Sequence, residues 1–64
     1  MKFTKGDVLL GYQGTKVKLL SNINKTGQAR VEVLASGLLT QAKVGDVING
    51  FTIYGGAIYF DKGE

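Results

Sequence analysis

Two runs of alternating apolar and polar residues, joined by a glycine-containing turn, constrain the fold more than any other feature. Such alternation is typical of a β-strand with one buried face, and it covers residues 16–23 and 28–35. Between the runs, Asn24-Lys25-Thr26-Gly27 is typical of a hairpin loop closed by a left-handed glycine. We therefore predict a central hairpin with an inner face of Val17, Leu19, Ser21, Ile23, Ala29, Val31, Val33 and Ala35.

The flanking segments also predict strands. Residues 7–13 form the predicted first strand, in which Gly11 marks a bulge or a close backbone approach. Residues 51–54 and 57–61 flank Gly55-Gly56, a loop that suits the type I′ turn of a second hairpin. That hairpin would place Phe51, Ile53, Ile58 and Phe60 on one face and Thr52, Tyr54, Ala57 and Tyr59 on the other.

Residues 31–42 also fit a helical interpretation, because apolar side chains recur there three and four residues apart. Gly37 in the middle and the β-branched alternation of Val31 and Val33 oppose a full helix. A shorter alternative is one helical turn within residues 37–43, capped by Ser36. The segment fits either this helical turn or a loop.

A seven-residue pattern occurs twice, as G-D-V-x-x-G-aromatic starting at Gly6 and again at Gly45. We interpret both copies as turns, in which glycine reverses the chain and the aspartate side chain caps the turn. A degenerate duplication and a ligand-binding role are the alternatives.

These patterns predict one all-β domain over residues 1–64, built from two hairpins and an N-terminal strand. Ten glycines and no proline suit a chain with many tight turns between short strands. The stretch Gly14-Thr15-Lys16-Val17-Lys18-Leu19-Leu20 resembles a strand of SH3-like domains. Together with about five short strands, this resemblance implies a small five-stranded SH3-like barrel, with an OB-like barrel as the related alternative.

Composition argues against catalysis. The chain has no His and no Cys, so it lacks the usual base, the usual thiol nucleophile and the commonest metal ligands. No glycine-rich phosphate-binding motif occurs. We expect no enzyme activity, no metal and no cofactor. No apolar stretch approaches the ~20 residues that cross a bilayer or resembles a signal peptide, so we expect a cytoplasmic protein without membrane contact.

Two groups of residues are candidate binding sites. Lys16, Lys18, Lys25 and Arg30 would give the outer face of the central hairpin a positive charge, in a chain of net charge +3. Alternate lysines on a strand stand about 7 Å apart, close to the phosphate spacing of nucleic acid. A solvated face, or an edge that lysines protect from aggregation, is the simpler interpretation, and Glu32 weakens the field.

The second candidate is the pair Tyr54 and Tyr59, which could stack on bases or anchor a protein interface. Two simpler interpretations are that tyrosine favours strands for packing reasons alone, or that the barrel closes and makes this face interior. Leu20 and Leu34 fall on the outer hairpin face, so either the sheet curls over them or they meet a partner or a second copy. We therefore predict a non-enzymatic binding module that docks on a protein partner or forms a homodimer; the alternative is a binder of single-stranded RNA or DNA.

Overall fold

The computed structural model describes residues 3–63. Its strands are β1 (Val8–Leu10), β2 (Lys16–Leu19), β3 (Gln28–Ala35), β4 (Val47–Thr52) and β5 (Asp61–Lys62). They form one antiparallel sheet in the order β4-β3-β2-β1-β5, so the all-β prediction is confirmed. The sheet is not closed, and the predicted barrel is therefore not confirmed. A 3₁₀ turn at Tyr12–Gly14 ends the first strand earlier than predicted, and no helix within residues 3–63 is long and apolar enough to cross a membrane.

The central hairpin forms as predicted, with β3 matching residues 28–35 and β2 ending at Leu19. Its loop is held by the Asn24 side chain, whose Oδ1 accepts bonds from the backbone nitrogens of Thr26 and Gln28, both at 3.0 Å. Gly27 has φ +84°, the left-handed conformation that the loop requires. The loop sequence therefore sets the register of β2 and β3.

The hydrophobic core lies on one face of this sheet. Inward side chains alternate along β2 and β3, and the chain before β1 and after β4 covers them. Burial of this apolar surface is the main stabilising contribution in a chain of 64 residues without disulfides. The central cluster consists of Phe3, Leu9, Val17, Leu19, Ala29, Val31, Ile53 and Phe60.

The predicted second hairpin is wrong. Residues 47–52 pair with β3 instead, and residues 53–60 form no strand. A type I′ turn needs positive φ at both central residues, but Gly55 has φ +83° and Gly56 is not in that region. The predicted apolar set still packs on the core, with Ile53 and Phe60 buried and Phe51 and Ile58 partly buried. The sequence thus predicted correctly which side chains of this segment pack on the core, but it predicted the wrong strand pairing for its backbone.

Residues 37–43 form successive turns rather than the alternative helical turn. The amide of Leu39 donates to the carbonyl of Ser36 at 2.6 Å, and that of Ala42 to the carbonyl of Leu39 at 3.1 Å. Gly37 has φ +48°, and a Cβ there would overlap Thr15 Oγ1. The positive φ of Gly37 does not suit a right-handed helical turn, and the close packing on Thr15 holds the segment against the start of β2.

Thr15 is the fully buried polar residue of the described chain. Its hydroxyl donates to the Tyr12 carbonyl at 2.8 Å and accepts from the Leu38 amide at 2.7 Å. Both hydrogen-bonding roles of the hydroxyl are filled, so its burial carries no unpaired polar group. Thr15 therefore ties the 3₁₀ turn to the loop after β3.

The first Gly-Asp copy forms a turn that leads into β1. Gly6 has φ +94°, and Asp7 Oδ2 accepts from the Thr4 amide at 3.0 Å. The turn docks on β2, because the Gly6 amide donates to the Leu19 carbonyl at 2.8 Å and the Leu19 amide to the Asp7 carbonyl at 2.9 Å.

The second copy repeats this arrangement at the start of β4. Gly45 has φ +96°, and Asp46 Oδ2 accepts from the Lys43 amide at 2.9 Å. The turn docks on β3 through two bonds of 2.8 Å with the Val33 backbone. The turn interpretation of the repeated pattern is confirmed at both positions.

Candidate functional site: a tyrosine groove and a basic face

The chain leaves the sheet after β4 at a bifurcated hydrogen bond. The amides of Ile53 and Tyr54 both donate to the carbonyl of Gly27, at 2.7 and 3.1 Å. A Cβ on Gly27 would lie 3.0 Å from the Tyr54 carbonyl oxygen, so glycine is required there for space as well as for its positive φ. The loop of the central hairpin therefore positions Tyr54.

Residues 55–60 are held by side chains. A Cβ on Gly11 would lie 2.7 Å from Ile58 Cγ2 and 3.1 Å from Phe60 Cε1, so the predicted close approach at Gly11 exists but is made by side chains. The Phe60 ring also meets the Phe51 ring edge-on, at 5.8 Å between centroids. Tyr59, between these two anchors, is 67% exposed.

Tyr54 and Tyr59 line the same cavity, of about 370 Å³, which we call the tyrosine groove. Tyr54 stacks on the ring of Phe3 with a centroid distance of 5.9 Å and an interplanar angle of 18°, and remains 42% exposed. The groove is lined by Phe3 and the continuous segment of residues 53–61. The structure thus brings the two predicted tyrosines together, along a loop rather than on a strand face.

Within residues 3–63, the charge that lines the tyrosine groove is negative. Asp61 is the one charged residue among the described residues that line it. Its Oδ1 accepts a bond from the Lys62 amide at 3.2 Å, and no cation within residues 3–63 forms an ion pair with it. The other walls are aromatic or aliphatic, or are glycine backbone. Such a surface suits apolar groups and repels phosphate.

A separate group of cations lies on the face of the sheet opposite the hydrophobic core, which we call the basic face; it consists of Lys16, Lys18 and Arg30. They alternate along β2 and β3 with buried residues and are themselves exposed. Glu32 lies on this face, as the sequence predicted, and the ladder places it directly across from Lys18. Arg30 Nε donates to Asn49 Oδ1 at 2.7 Å, so one of its donors already has a partner.

Lys25 belongs to neither of these groups. It lies in the hairpin loop, directly after Asn24. Asn24 and Tyr54, but not Lys25, line a smaller cavity of about 240 Å³. The six predicted binding residues therefore divide into two tyrosines in the groove, three cations on the basic face and one lysine at the loop.

The leucines expected to be exposed are mostly covered. Leu20 and Leu34 are both partly buried. The large hydrophobic residues that are exposed are Leu10, Tyr12, Leu38, Val44, Val47, Tyr54 and Tyr59.

The described residues hold few groups for other chemistry. No group of three or more acidic residues within residues 3–63 has the spacing to hold a metal ion. No buried side-chain nitrogen or oxygen in this part of the chain lacks a hydrogen-bond partner.

Two residues of the groove were missed by sequence reasoning. Phe3 stacks on Tyr54, although it precedes the first strand in a polar stretch; its isolated aromatic ring was the one available signal. Asp61 supplies the carboxylate of the groove, and nothing in the sequence distinguishes it from other surface acids.

Comparison with known proteins found no relative from which function could be transferred. No protein-family model, curated protein or solved structure matches the chain. Function is therefore inferred from the geometry of the two surfaces.

Proposed function

We propose that this chain is a non-enzymatic module that binds a segment of a protein partner in the tyrosine groove. The observation that carries the proposal is the convergence of Tyr54 and Tyr59 on one cavity whose charged wall is Asp61. Tyrosines in this setting supply large contact areas and a hydroxyl for hydrogen bonding. A cavity of about 370 Å³ accommodates one or two side chains of a partner.

The charge of the groove favours protein over nucleic acid as its ligand. Stacked bases carry phosphates with them, and Asp61 would repel these, while no lining residue within residues 3–63 neutralises them. The cations that would contact phosphate lie across the sheet, on the basic face. A single strand of nucleic acid therefore gains either stacking or phosphate contacts at one surface, and not both together.

Nucleic-acid binding by the basic face is the second candidate. Lys16 and Lys18 project from β2 at adjacent outward positions, and Arg30 lies diagonal to Lys18 on β3. Three phosphate contacts support only weak, strongly salt-dependent binding. Glu32 beside Lys18 reduces it further.

A second copy of the chain is another form of protein partner. Val44 and Val47 are 68% and 54% exposed at the start of the edge strand β4. Apolar exposure beside an edge strand favours association between copies. We propose association of two copies through this edge as the alternative form of protein binding, and a molar mass that rises with protein concentration would support it.

Of the two predicted barrel types, we propose the SH3-like one, because the order of the strands in the sheet supports it. Strands β1 to β4 follow one another across the sheet as a meander, and β5 returns to pair with β1. An OB-like barrel is a Greek key, which this order is not.

A peptide selection tests the proposed function. Random peptides displayed on phage are selected on the wild-type chain alone, and their affinity is then measured for Tyr59→Ala, which removes an exposed ring without touching the core. The selected peptides should bind Tyr59→Ala at least about tenfold more weakly, as expected for an interface anchor. They should bind Lys16→Ala/Lys18→Ala as well as wild type, with little dependence on salt.

Fluorescence anisotropy with labelled single-stranded RNA and DNA, at low and near-physiological salt, tests the second candidate function. Weak binding that disappears with salt and requires Lys16 and Lys18 supports the second candidate. Peptides that fail to distinguish Tyr59→Ala from wild type would contradict the proposed groove.

A further inference from the structure

Asn49 and Gly50 occupy a bulge in β4. Ile48 pairs with Val31 and Phe51 pairs with Ala29, so two residues of β4 lie opposite Arg30 alone. A bulge leaves the extra residue unpaired and disrupts the ladder locally. Gly50 has φ +69°, and both bulge residues are exposed. The bulge therefore places Asn49 and Gly50 outside the regular ladder of β4.

The side chain of Asn49 is polarised by a cation. Arg30 Nε donates to Asn49 Oδ1 at 2.7 Å, a short charge-assisted hydrogen bond. A charged donor on a carbonyl oxygen draws electron density from its carbon and stabilises negative charge that develops on the oxygen during attack. Asn49 Cγ is therefore a better electrophile than the carbon of an amide without such a donor.

We propose that Asn49 is a site of spontaneous deamidation, assisted by Arg30. The Gly50 backbone nitrogen, after loss of its proton to solvent base, attacks Asn49 Cγ and forms a C–N bond. The Cγ–NH2 bond breaks, and the leaving group takes a proton to depart as ammonia. Water then opens the resulting succinimide at either carbonyl, which gives aspartate or isoaspartate at position 49.

The other two described asparagines are less suited to this reaction. Asn22 and Asn24 precede Ile23 and Lys25, whose side chains hinder approach of the following nitrogen, whereas Gly50 has none. Asn22 Oδ1 accepts from the Lys5 amide, and Asn24 Oδ1 from loop amides, so neither has a charged donor in the described chain.

The reaction would change the basic face. An aspartate at position 49 lowers the net charge from +3 to +2, since eight basic residues would then face six acidic ones. Its carboxylate forms beside the guanidinium of Arg30 and pairs with it, which removes one of the three cations from that face. Isoaspartate also adds a methylene to the backbone of β4. The proposal does not depend on the proposed function of the groove.

The test is incubation of the purified wild-type chain at neutral and mildly alkaline pH, followed by peptide mass mapping. We expect replacement of NH2 by OH at Asn49 at least about tenfold faster than at Asn22 or Asn24, a barrier difference of about 1.4 kcal/mol. The rate should rise with pH, because the attacking nitrogen must lose its proton. Comparable rates at all three asparagines, or an unmodified Asn49, would overturn the proposal.

A comparison of two variants tests whether Arg30 assists the reaction. Arg30→Gln should slow the reaction at Asn49 severalfold, whereas Lys16→Gln should not, because it removes one charge from the same face without contacting Asn49. Circular dichroism of both variants checks that the sheet is retained. An equal or faster rate in Arg30→Gln would show that the hydrogen bond does not assist the reaction.

Discussion

Residues 16–35 and residues 51–61 carry the same kind of pattern, two apolar alternations around a glycine-containing turn, yet only the first forms a hairpin. In the first, the Asn24 side chain and Gly27 build the loop and bring β2 against β3. In the second, the backbone of residues 47–52 is already paired with β3. Hydrophobic burial is non-directional, whereas hydrogen bonds require a defined geometry. The predicted apolar side chains of residues 51–60 therefore reach the core, although the backbone does not pair as the pattern predicts.

The difference also creates the candidate site. Residues 55–60 do not pair as a hairpin but form an open loop, in which Ile58 and Phe60 pack inward while Ala57 and Tyr59 are exposed. Phe60 anchors the loop in the core and Tyr59 lies outside, so the tyrosine groove forms between this loop and Phe3. A regular hairpin would have placed the two tyrosines on a flat ladder face.

The largest expected contrast is between core truncations in the two regions. Leu19→Ala in the central hairpin removes a fully buried side chain and should cost about 2–5 kcal/mol, enough to unfold much of a domain this small. Ile58→Ala in the loop removes a partly buried one and should cost roughly 1 kcal/mol. Urea unfolding of both variants measures the difference, and equal losses would mean that the loop is packed as tightly as the hairpin.

The next contrast compares Gly27 and Gly55, whose φ angles are +84° and +83°. Alanine at either position pays the left-handed penalty of about 1–2 kcal/mol. Gly27→Ala should cost more, because its Cβ would lie 3.0 Å from the Tyr54 carbonyl oxygen, whereas a Cβ on Gly55 meets nothing within 4 Å. Thermal unfolding of the two variants provides the comparison, and a larger loss for Gly55→Ala would contradict the loop geometry.

A smaller effect separates Gly55 from Gly56. Gly56 is not among the positive-φ glycines, and its Cβ would approach Thr52 Cγ2 at 3.2 Å. The Thr52 methyl group needs to move by only a few tenths of an ångström, whereas the Tyr54 carbonyl at Gly27 is backbone. Gly56→Ala should therefore change the free energy of unfolding by no more than about 0.5 kcal/mol. A type I′ turn would instead make both substitutions costly, so a matched loss in the two variants would restore the second hairpin.

The smallest effect concerns the ion pair between Lys62 Nζ and Asp7 Oδ1, 3.8 Å apart, which joins β5 to the turn before β1. The lysine is largely exposed, so Lys62→Ala should cost less than about 0.5 kcal/mol, with the loss vanishing at high salt. Lys43→Ala serves as the control, because that lysine forms no ion pair within residues 3–63. A salt-independent loss would point to packing by the lysine stem rather than to charge.

The sequence predicted those features that depend on local chemistry. Asn24 and Gly27 specify a loop, and Gly6-Asp7 and Gly45-Asp46 specify turns, because each acts through its own side chain or backbone. Features decided by competition between distant segments were not predictable. Gly27 receives the amides of Ile53 and Tyr54, and no local pattern reveals that this carbonyl takes both.

The same limit applies to the candidate site. The exposure of Tyr59 follows from local alternation with the buried Phe60, and both tyrosines were identified as candidates from the sequence. The stacking of Phe3 on Tyr54 and the position of Asp61 depend on how the two chain ends meet the core. The sequence therefore could not predict whether the cations and the tyrosines share a surface.

Amide hydrogen exchange by NMR tests most directly the claim that residues 55–60 form an open loop bearing the tyrosine groove. No backbone amide from residue 55 to residue 60 has a hydrogen-bond partner within residues 3–63, so these amides should exchange rapidly. Those of Val31, Ile53 and Tyr54 should be protected, the last two by their bonds to Gly27. Protected amides at Ala57 and Tyr59, with cross-strand contacts between Thr52 and Tyr59, would contradict the account and establish the second hairpin in place of the groove.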